Sequence, residues 1–518
     1  MPAPVLARRL MSTHSLPSPH TSCPSASAGE RALVARQSRA YVARWQGHGI
    51  CSGAGRSCRP LLDVVASGGP AEASLGTCEA SRRCAGRGRL PRVYVHPCMD
   101  GAHERLLKSP HVSAFFDANA ARNQYLSEFV MHRSLLLSPH RVLTPEAADI
   151  FFVPFYARLA YADKVASKAV RKLQANLTGT LETCLRTSDA WQRNKGKDHL
   201  VAISSTRDPK KLFGRTWPLL KRSLLVRIEA APDRRYDRRA AARLPIGAGR
   251  RGEGTGGGGG AWRQRGRRLR RSRRIGGGDS RGGDGGVGTG GSAPPLVLPY
   301  YVPNFPEDER VRADEKTRSV CFFGTATHPL RRQAVQALKH VEGATLSLGS
   351  KADFNSSGDA RDGERQRTLS TRRQLRQCKL CLVPAGITPS SRRFYEALVA
   401  KCVPLLLSDA FRPAFADLIP LERYAVRAAQ AEPTALPAIV AAALARWPRL
   451  FAGVEAVRHA FIYDMGWHTG AGDASGASAP CDAAHAILAE VQARFAHRAA
   501  RERSRSECLE GSSSNCSD

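Results

Sequence analysis

The chain has 518 residues, 42% of them hydrophobic, with 14 cysteines and a formal net charge of +34 at pH 7. That length allows two domains with substantial cores, and that hydrophobic content excludes a wholly disordered chain. Residues 1–90 contain no apolar run of 18 or more, so this region reads as neither a transmembrane helix nor a good secretory signal.

The same 90 residues are rich in Ser, Pro, Ala and Arg and have no acidic residue before Glu30, a weakly transit-peptide-like start. Six cysteines (Cys23, Cys51, Cys58, Cys78, Cys84 and Cys98) precede residue 100, a density that suggests a small disulfide-bonded module, although their spacing is loose. From 91 to 231 the pattern becomes that of a folded α/β lobe. Apolar strand candidates fall at 92–96, 149–155, 199–204 and 223–228. A helix is expected near 121–137, where Tyr125, Phe129, His132 and Leu136 recur at helical spacing.

Residues 232–294 interrupt this lobe pattern. Between Pro232 and Gly282 there are sixteen Arg against four acidic residues, together with the run Gly256–Gly260 and the cluster from Arg263 to Arg274. Such a segment cannot bury a core and is expected to be disordered. Its flanks, 224–228 and 296–298, read as buried strands, so it reads as an insertion between two lobes. Three readings stay open: a passive expanded loop, translated non-coding sequence, or a polyanion-binding segment. Tyr236 and Trp262 are its only aromatics and offer little base stacking, which makes nucleic acid a poor partner.

The second lobe is placed at 295–430, with strand candidates at 319–323, 344–348, 379–383 and 403–407 and helical patterns near 329–340 and 366–377. Helices at 431–498 and a disordered tail at 499–518 complete the chain. Strands alternating with helices predict an α/β class with parallel sheets covered on both faces.

Residues 378–409 carry the most chemistry. They read as strand, tight turn, helix, strand, with Thr388 as N-cap and Pro389 at the first helical position. Arg392 and Glu396 stand four apart on one helix face. One reading is an ordinary i,i+4 ion pair, contributing about 0.2–0.5 kcal/mol. The other is a site in which a capped N-terminus, an Arg and a Glu hold the phosphates and ribose of a nucleotide. Cys378 and Cys381 form a CxxC with no second ligand pair nearby, so zinc is not expected. Asn176, Asn355 and Asn515 lie in glycosylation triplets.

The run from Pro384 to Asp409 (PAGITPSSRRFYEALVAKCVPLLLSD) resembles the donor-site signature of the exostosin-type glycosyltransferases, glycosyltransferase family 47. Other segments match in the family's order: RVYVH at 92–96, EAADIFFVP at 146–154, WQRNKGKDH at 191–199 and RSVCFFG at 318–324. The resemblance covers about residues 90–230 and 296–498. It implies a GT-B arrangement of two Rossmann-like lobes with the ligand in the cleft between them. It also implies inverting transfer of a sugar from a nucleotide sugar, a UDP-sugar in particular, to a glycan or glycoprotein acceptor. The alternative is a catalytically silent relative that binds sugars or a partner enzyme.

On this resemblance the donor would be held by Gly386, Thr388, Ser390, Ser391, Arg392, Tyr395, Glu396 and Arg331. Glu396 would receive the ribose hydroxyls, and Tyr395 or Phe394 would lie on the base. The base candidates are His96, Asp198, His199 and Asp208. No metal and no cofactor beyond the co-substrate is expected. Family members are typically Golgi membrane proteins, some in complexes with another glycosyltransferase. One departure is plain: SSTRDPK at 204–210 has Arg207 where relatives commonly carry His.

Overall fold

The computed structural model describes residues 90–229, 296–463 and 482–495, short internal stretches excepted. The expected N-terminal module, the 232–294 insertion, the C-terminal tail and the triplets at Asn355 and Asn515 lie outside the described residues.

Two parallel sheets form the framework. The first contains β1 (Val93–Val95), β2 (Arg141–Val142), β3 (Ile150–Phe152), β4 (His199–Ile203), β5 (Leu224–Arg227) and β6 (Leu296–Val297), in the order β2-β1-β3-β4-β5-β6. The second contains β7 (Arg318–Thr325), β8 (Thr345–Gly349), β9 (Cys378–Pro384), β10 (Val403–Leu407) and β11 (Val426–Arg427), in the order β11-β10-β9-β7-β8. Every pairing is parallel. Strands of such sheets are covered on both faces and need unbroken apolar runs. β3 and β10 satisfy this, since every residue of IFF and VPLLL is buried. The expected two-lobed α/β fold is present, in a GT-B-like form.

One boundary differs from expectation. Leu296–Val297 pairs with β5, in register Val226 with Leu296 and Arg227 with Val297, so it belongs to the first sheet and not to the second lobe. The break between the lobes therefore falls after β6 and not before it.

Helices flank the sheets: α1 (Ser127–Leu137), α2 (Lys168–Thr187), α3 (Pro329–Leu338), α4 (Ala360–Arg376), α5 (Arg392–Val399), α6 (Leu436–Ala445), α7 (Trp447–Val457) and α8 over 483–495. The last helix joins the lobes. Its first turn takes a backbone bond from Ala483 N–H to Ile462 O at 2.9 Å, and its His485 Nε2 lies 3.2 Å from Ser138 Oγ in the first lobe. Among the described residues no single helix is long and apolar enough to cross a membrane.

The CxxC resolves into two disulfides. Cys378 pairs with Cys321, linking β9 to β7, and Cys381 pairs with Cys402, just ahead of β10. The strands that carry the donor motif are thus cross-linked to both neighbours. With separations of 57 and 21 residues, removing one cysteine of each pair is expected to cost about 4 and 3 kcal/mol respectively. Denaturant unfolding of Cys321→Ser and Cys381→Ser proteins would measure both.

Candidate active site

In open parallel sheets, ligands settle at the carboxyl edge where the strand order reverses. In the second sheet that point lies between β7 and β9, and Arg331 occupies it. This residue stands in the first turn of α3, after His328, whose ring nitrogen accepts the Leu330 N–H, and after Pro329. Its Nη1 donates to Thr325 O at 3.0 Å and its Nε to Ala385 O at 3.2 Å, so the guanidinium spans both strand ends. Burial and the neighbouring Arg393 push its pKa down to about 10. It stays charged at neutral pH, and an anion would relieve that cost.

Gly386 follows directly. A Cβ at this position would sit 3.0 Å from Arg331 Nη2 and 3.9 Å from Thr388 O. A methyl here would press on a guanidinium already held by Thr325 O and Ala385 O, beside the turn that closes through Gly386 N–H to Thr388 O at 3.1 Å.

The helix start differs from expectation by three residues. Ser391, not Thr388, is the N-cap: its backbone is extended and its Oγ accepts the Arg393 N–H at 3.3 Å. Thr388, Pro389 and Ser390 form the loop before it, braced by Ser408 Oγ donating to Pro389 O at 2.9 Å. On α5, Arg392 Nε lies 3.1 Å from Glu396 Oε1, and Arg393 Nη1 lies 2.7 Å from Oε2. The Arg392 and Glu396 side chains are only 12% and 13% exposed, so this is not a solvated surface pair. Burial alone would raise the Glu396 carboxyl, but Arg393, Arg392 and Arg372 outweigh it and hold it below the ordinary range.

Tyr395 is a correction. It is buried with Phe394 in the core, its ring 5.8 Å from Tyr300 and 6.3 Å from Phe461, so neither aromatic side chain can lie on a base.

Glu229 escaped the sequence reading. It lies just past β5 and is 5% exposed, and Ser390 Oγ donates to its Oε1 at 2.5 Å. The Thr388 side chain bonds the same carboxylate, and the Tyr300 hydroxyl lies 3.1 Å from Ser390 Oγ. Burial pushes the Glu229 carboxyl up, against the pull of these hydrogen bonds. The side chains of Ser390 and Thr388, two residues expected to hold the donor, therefore bind the first lobe's carboxylate, and this bond sets the carboxyl edge of β5 against the donor loop. No local pattern around Glu229 could reveal a partner 161 positions away.

The base candidates separate by position. Asp198 and His199 lie at the entering end of β4, away from the ligand edge, and are buried. His199 Nδ1 is 2.7 Å from Asp198 Oδ1, and the Asp198 Oδ2 accepts from Asn194 at 2.6 Å. The His199 ring stacks on Phe151 at 4.6 Å and meets Trp191 edge-on at 4.7 Å. The pair is a packed structural element, which overturns its candidacy as a base. His96 does follow β1 at the carboxyl edge, but its ring stacks on His199 at 5.1 Å, and burial with His199 nearby pushes it down to about 3. Asp208 alone is both exposed and beyond the carboxyl end of β4, where it caps a short helix by accepting Lys210 N–H at 2.9 Å. The residue departing from the family pattern, Arg207, lies 4.9 Å from the Tyr161 ring centroid.

A second buried carboxylate braces this edge. Glu128 accepts N–H bonds from Ser204 at 2.8 Å and Arg158 at 3.1 Å, tying the ends of β4 and β3, and burial pushes it up to about 8. Between about 4.5 and 8 the folded form holds a proton that the unfolded chain has lost, so stability falls as pH rises. His96 and His103, both pushed by burial to about 3, act oppositely between 3 and 6.5: the unfolded chain holds more protons there, and stability rises with pH. Glu490, pushed up to about 7, adds to the fall below 7, while Lys316, pushed down to about 7, opposes it above 7, so the wild-type profile is a sum of these groups. The contribution of Glu128 is read by comparison with Glu128→Gln: the stability of wild type relative to the variant is expected to fall as pH rises from about 4.5 to 8, and a difference that does not change with pH would exclude it.

Two parallel sheets joined at their carboxyl edges, with a guanidinium at one switch point and a carboxylate bridging to the other lobe, define a two-lobed, GT-B-like α/β fold. The family model for the exostosin GT47 domain matches residues 87–226 and 292–443, more than half of the chain. The chain belongs to that family and is a glycosyltransferase. It is similar to a probable glucuronosyltransferase of Oryza sativa subsp. japonica, 22% identical over 369 residues that cover 68% of this chain and 70% of the relative. It is likewise similar to a probable beta-1,4-xylosyltransferase of Arabidopsis thaliana, 20% identical over 423 residues (78% and 82% of the two chains). A probable arabinosyltransferase of the same plant is 21% identical over 297 residues, 55% of this chain and 50% of the relative.

Proposed function

We propose that the chain transfers a sugar from a nucleotide-sugar donor, a UDP-sugar, to a glycan or glycoprotein acceptor with inversion at the anomeric carbon. The observation that carries this reading is Arg331 across the β7 and β9 strand ends, with Arg392 and Arg393 on the adjoining helix start. The acceptor hydroxyl oxygen forms a bond to the anomeric carbon as the bond from that carbon to the diphosphate oxygen breaks. The electron pair leaves with the nucleoside diphosphate, where the guanidiniums of Arg331 and Arg392 meet it. The hydroxyl proton passes to a base on the first lobe, for which Asp208 has the best position. Glu396, held by two arginines, accepts from the ribose hydroxyls and keeps Arg392 in place.

The relatives' printed names carry different sugars, so the chemistry common to them, glycosyl transfer to glycans, is the part that transfers to this chain. Two disulfides among the described residues support residence in an oxidising compartment, in keeping with a Golgi lumen.

The test is Glu396→Gln. Losing a charged hydrogen-bond partner costs about 1.5–3 kcal/mol, so UDP-sugar affinity should fall about 10- to 150-fold in titration calorimetry. Unchanged affinity would remove Glu396 from the donor site.

A further inference from the structure

Two arginines among the described residues, Arg458 fully buried and Arg227 half-buried, are treated very differently. Arg458 has a hydrogen bond for every nitrogen. Arg227, the last residue of β5, has buried Nε and Nη2 atoms that meet no hydrogen-bond partner among the described residues. Its backbone is fully used, in register with Ile203 of β4 and Val297 of β6, and its carbonyl accepts Leu298 N–H at 2.7 Å. The side chain is therefore held on a rigid strand end with its donors unspent.

Its surroundings are acidic but committed elsewhere. Asp208 and Glu229 act on it electrostatically. The first, however, caps the helix through Lys210 N–H, and the second is bound by Ser390 and Thr388 of the donor loop. Glu229 follows Arg227 by two residues, at the bend past the strand end, and acts on its guanidinium electrostatically, so Arg227 stands near the carboxylate that reaches the donor loop. Guanidinium donors buried without an acceptor are costly to the fold and call for a partner, and Nε and Nη2 of Arg227 are two such donors.

We infer that Arg227 is an anion-binding residue contributed by the first lobe, whose guanidinium takes a substrate oxyanion: a diphosphate oxygen of the donor or the carboxylate of an acidic sugar in the acceptor. This inference rests on the glycosyl-transfer reading above. If the oxyanion is the diphosphate, Arg227 meets the leaving group from the first lobe and Arg331 from the second. If it is a carboxylate, Arg227 selects uronic-acid-bearing acceptors.

The test compares wild type with Arg227→Gln and Arg227→Met. Melting temperatures are measured without ligand. Affinities are measured by calorimetry for UDP, for a xylo-oligosaccharide bearing glucuronic acid, and for its neutral counterpart. A ligand role predicts that Arg227→Met melts no lower than wild type and that affinity for one anionic probe falls tenfold or more. Loss confined to UDP identifies the diphosphate; loss confined to the acidic oligosaccharide identifies the acceptor carboxylate. The neutral oligosaccharide should be unaffected. Wild-type affinity for both anionic probes in the variants would overturn the inference while leaving the donor reading intact, and so would failure of both variants to fold. If wild type binds neither UDP nor the acidic oligosaccharide, the nucleotide-sugar reading falls with it.

Discussion

Arg458→Ala is expected to lower the unfolding free energy by about 3–5 kcal/mol, because it breaks a buried charge network without replacing it. Arg458 is 1% exposed. Its Nη1 pairs with Glu309 Oε2 at 2.5 Å, its Nη2 bonds Asn304 Oδ1 at 3.2 Å and Val399 O at 3.0 Å, and its Nε reaches Leu398 O at 3.4 Å. Lys316 Nζ adds a bond to Ala400 O at 2.8 Å. Both side chains satisfy the last carbonyls of α5, the helix whose opposite end carries Arg392 and Arg393, with Arg458 supplying the charge, since burial and the neighbouring Lys401 push Lys316 down to about 7. A positive charge at a helix C-terminus favours the helix, and here burial makes the arrangement hard to do without. Denaturant unfolding measures the loss. Arg458→Lys should recover only part of it, since an ammonium cannot reach partners in three directions. A loss under 1 kcal/mol would mean that water replaces the guanidinium, contrary to its sealed position.

The second large effect is expected at Arg331. Arg331→Gln should reduce kcat/KM about 10²–10³-fold, the size of effect seen when a donor to developing negative charge is removed. Some stability will also go, because Thr325 O and Ala385 O lose their shared donor, at about 1 kcal/mol per bond. The two consequences can be separated by measuring transfer well below the variant's melting temperature. Gly386→Ala is a useful companion. It places a methyl 3.0 Å from Arg331 Nη2 without touching the charge, so it should weaken donor binding less than Arg331→Gln does.

Much of this was legible in the sequence because it is local. Val403–Leu407 is apolar throughout and can only be a strand buried on both faces. The Arg392–Glu396 spacing could only bring those side chains together once a helix formed. What escaped was non-local or directional. Leu296–Val297 looks like the opening of a second domain, and its place beside β5 depends on a pairing across the insertion. Asp198–His199 looks catalytic until the strand direction shows it entering β4 instead of leaving it. Thr388 looks like an N-cap, and the cap moves to Ser391 because the preceding hydroxyls are drawn to Glu229. Tyr395 looks like a stacking platform, and the packing of α5 against Tyr300 and Phe461 turns it inward. Glu229 itself carries no motif. Its meaning comes from the fold.

The most direct test of the central claim, a nucleotide-sugar site at the β7–β9 switch point, is titration calorimetry of a UDP-sugar panel into wild type and Arg331→Gln. The account predicts saturable binding of at least one UDP-sugar to wild type and an affinity at least tenfold weaker in the variant. Equal affinity in both proteins, or no binding to wild type at all, would contradict it.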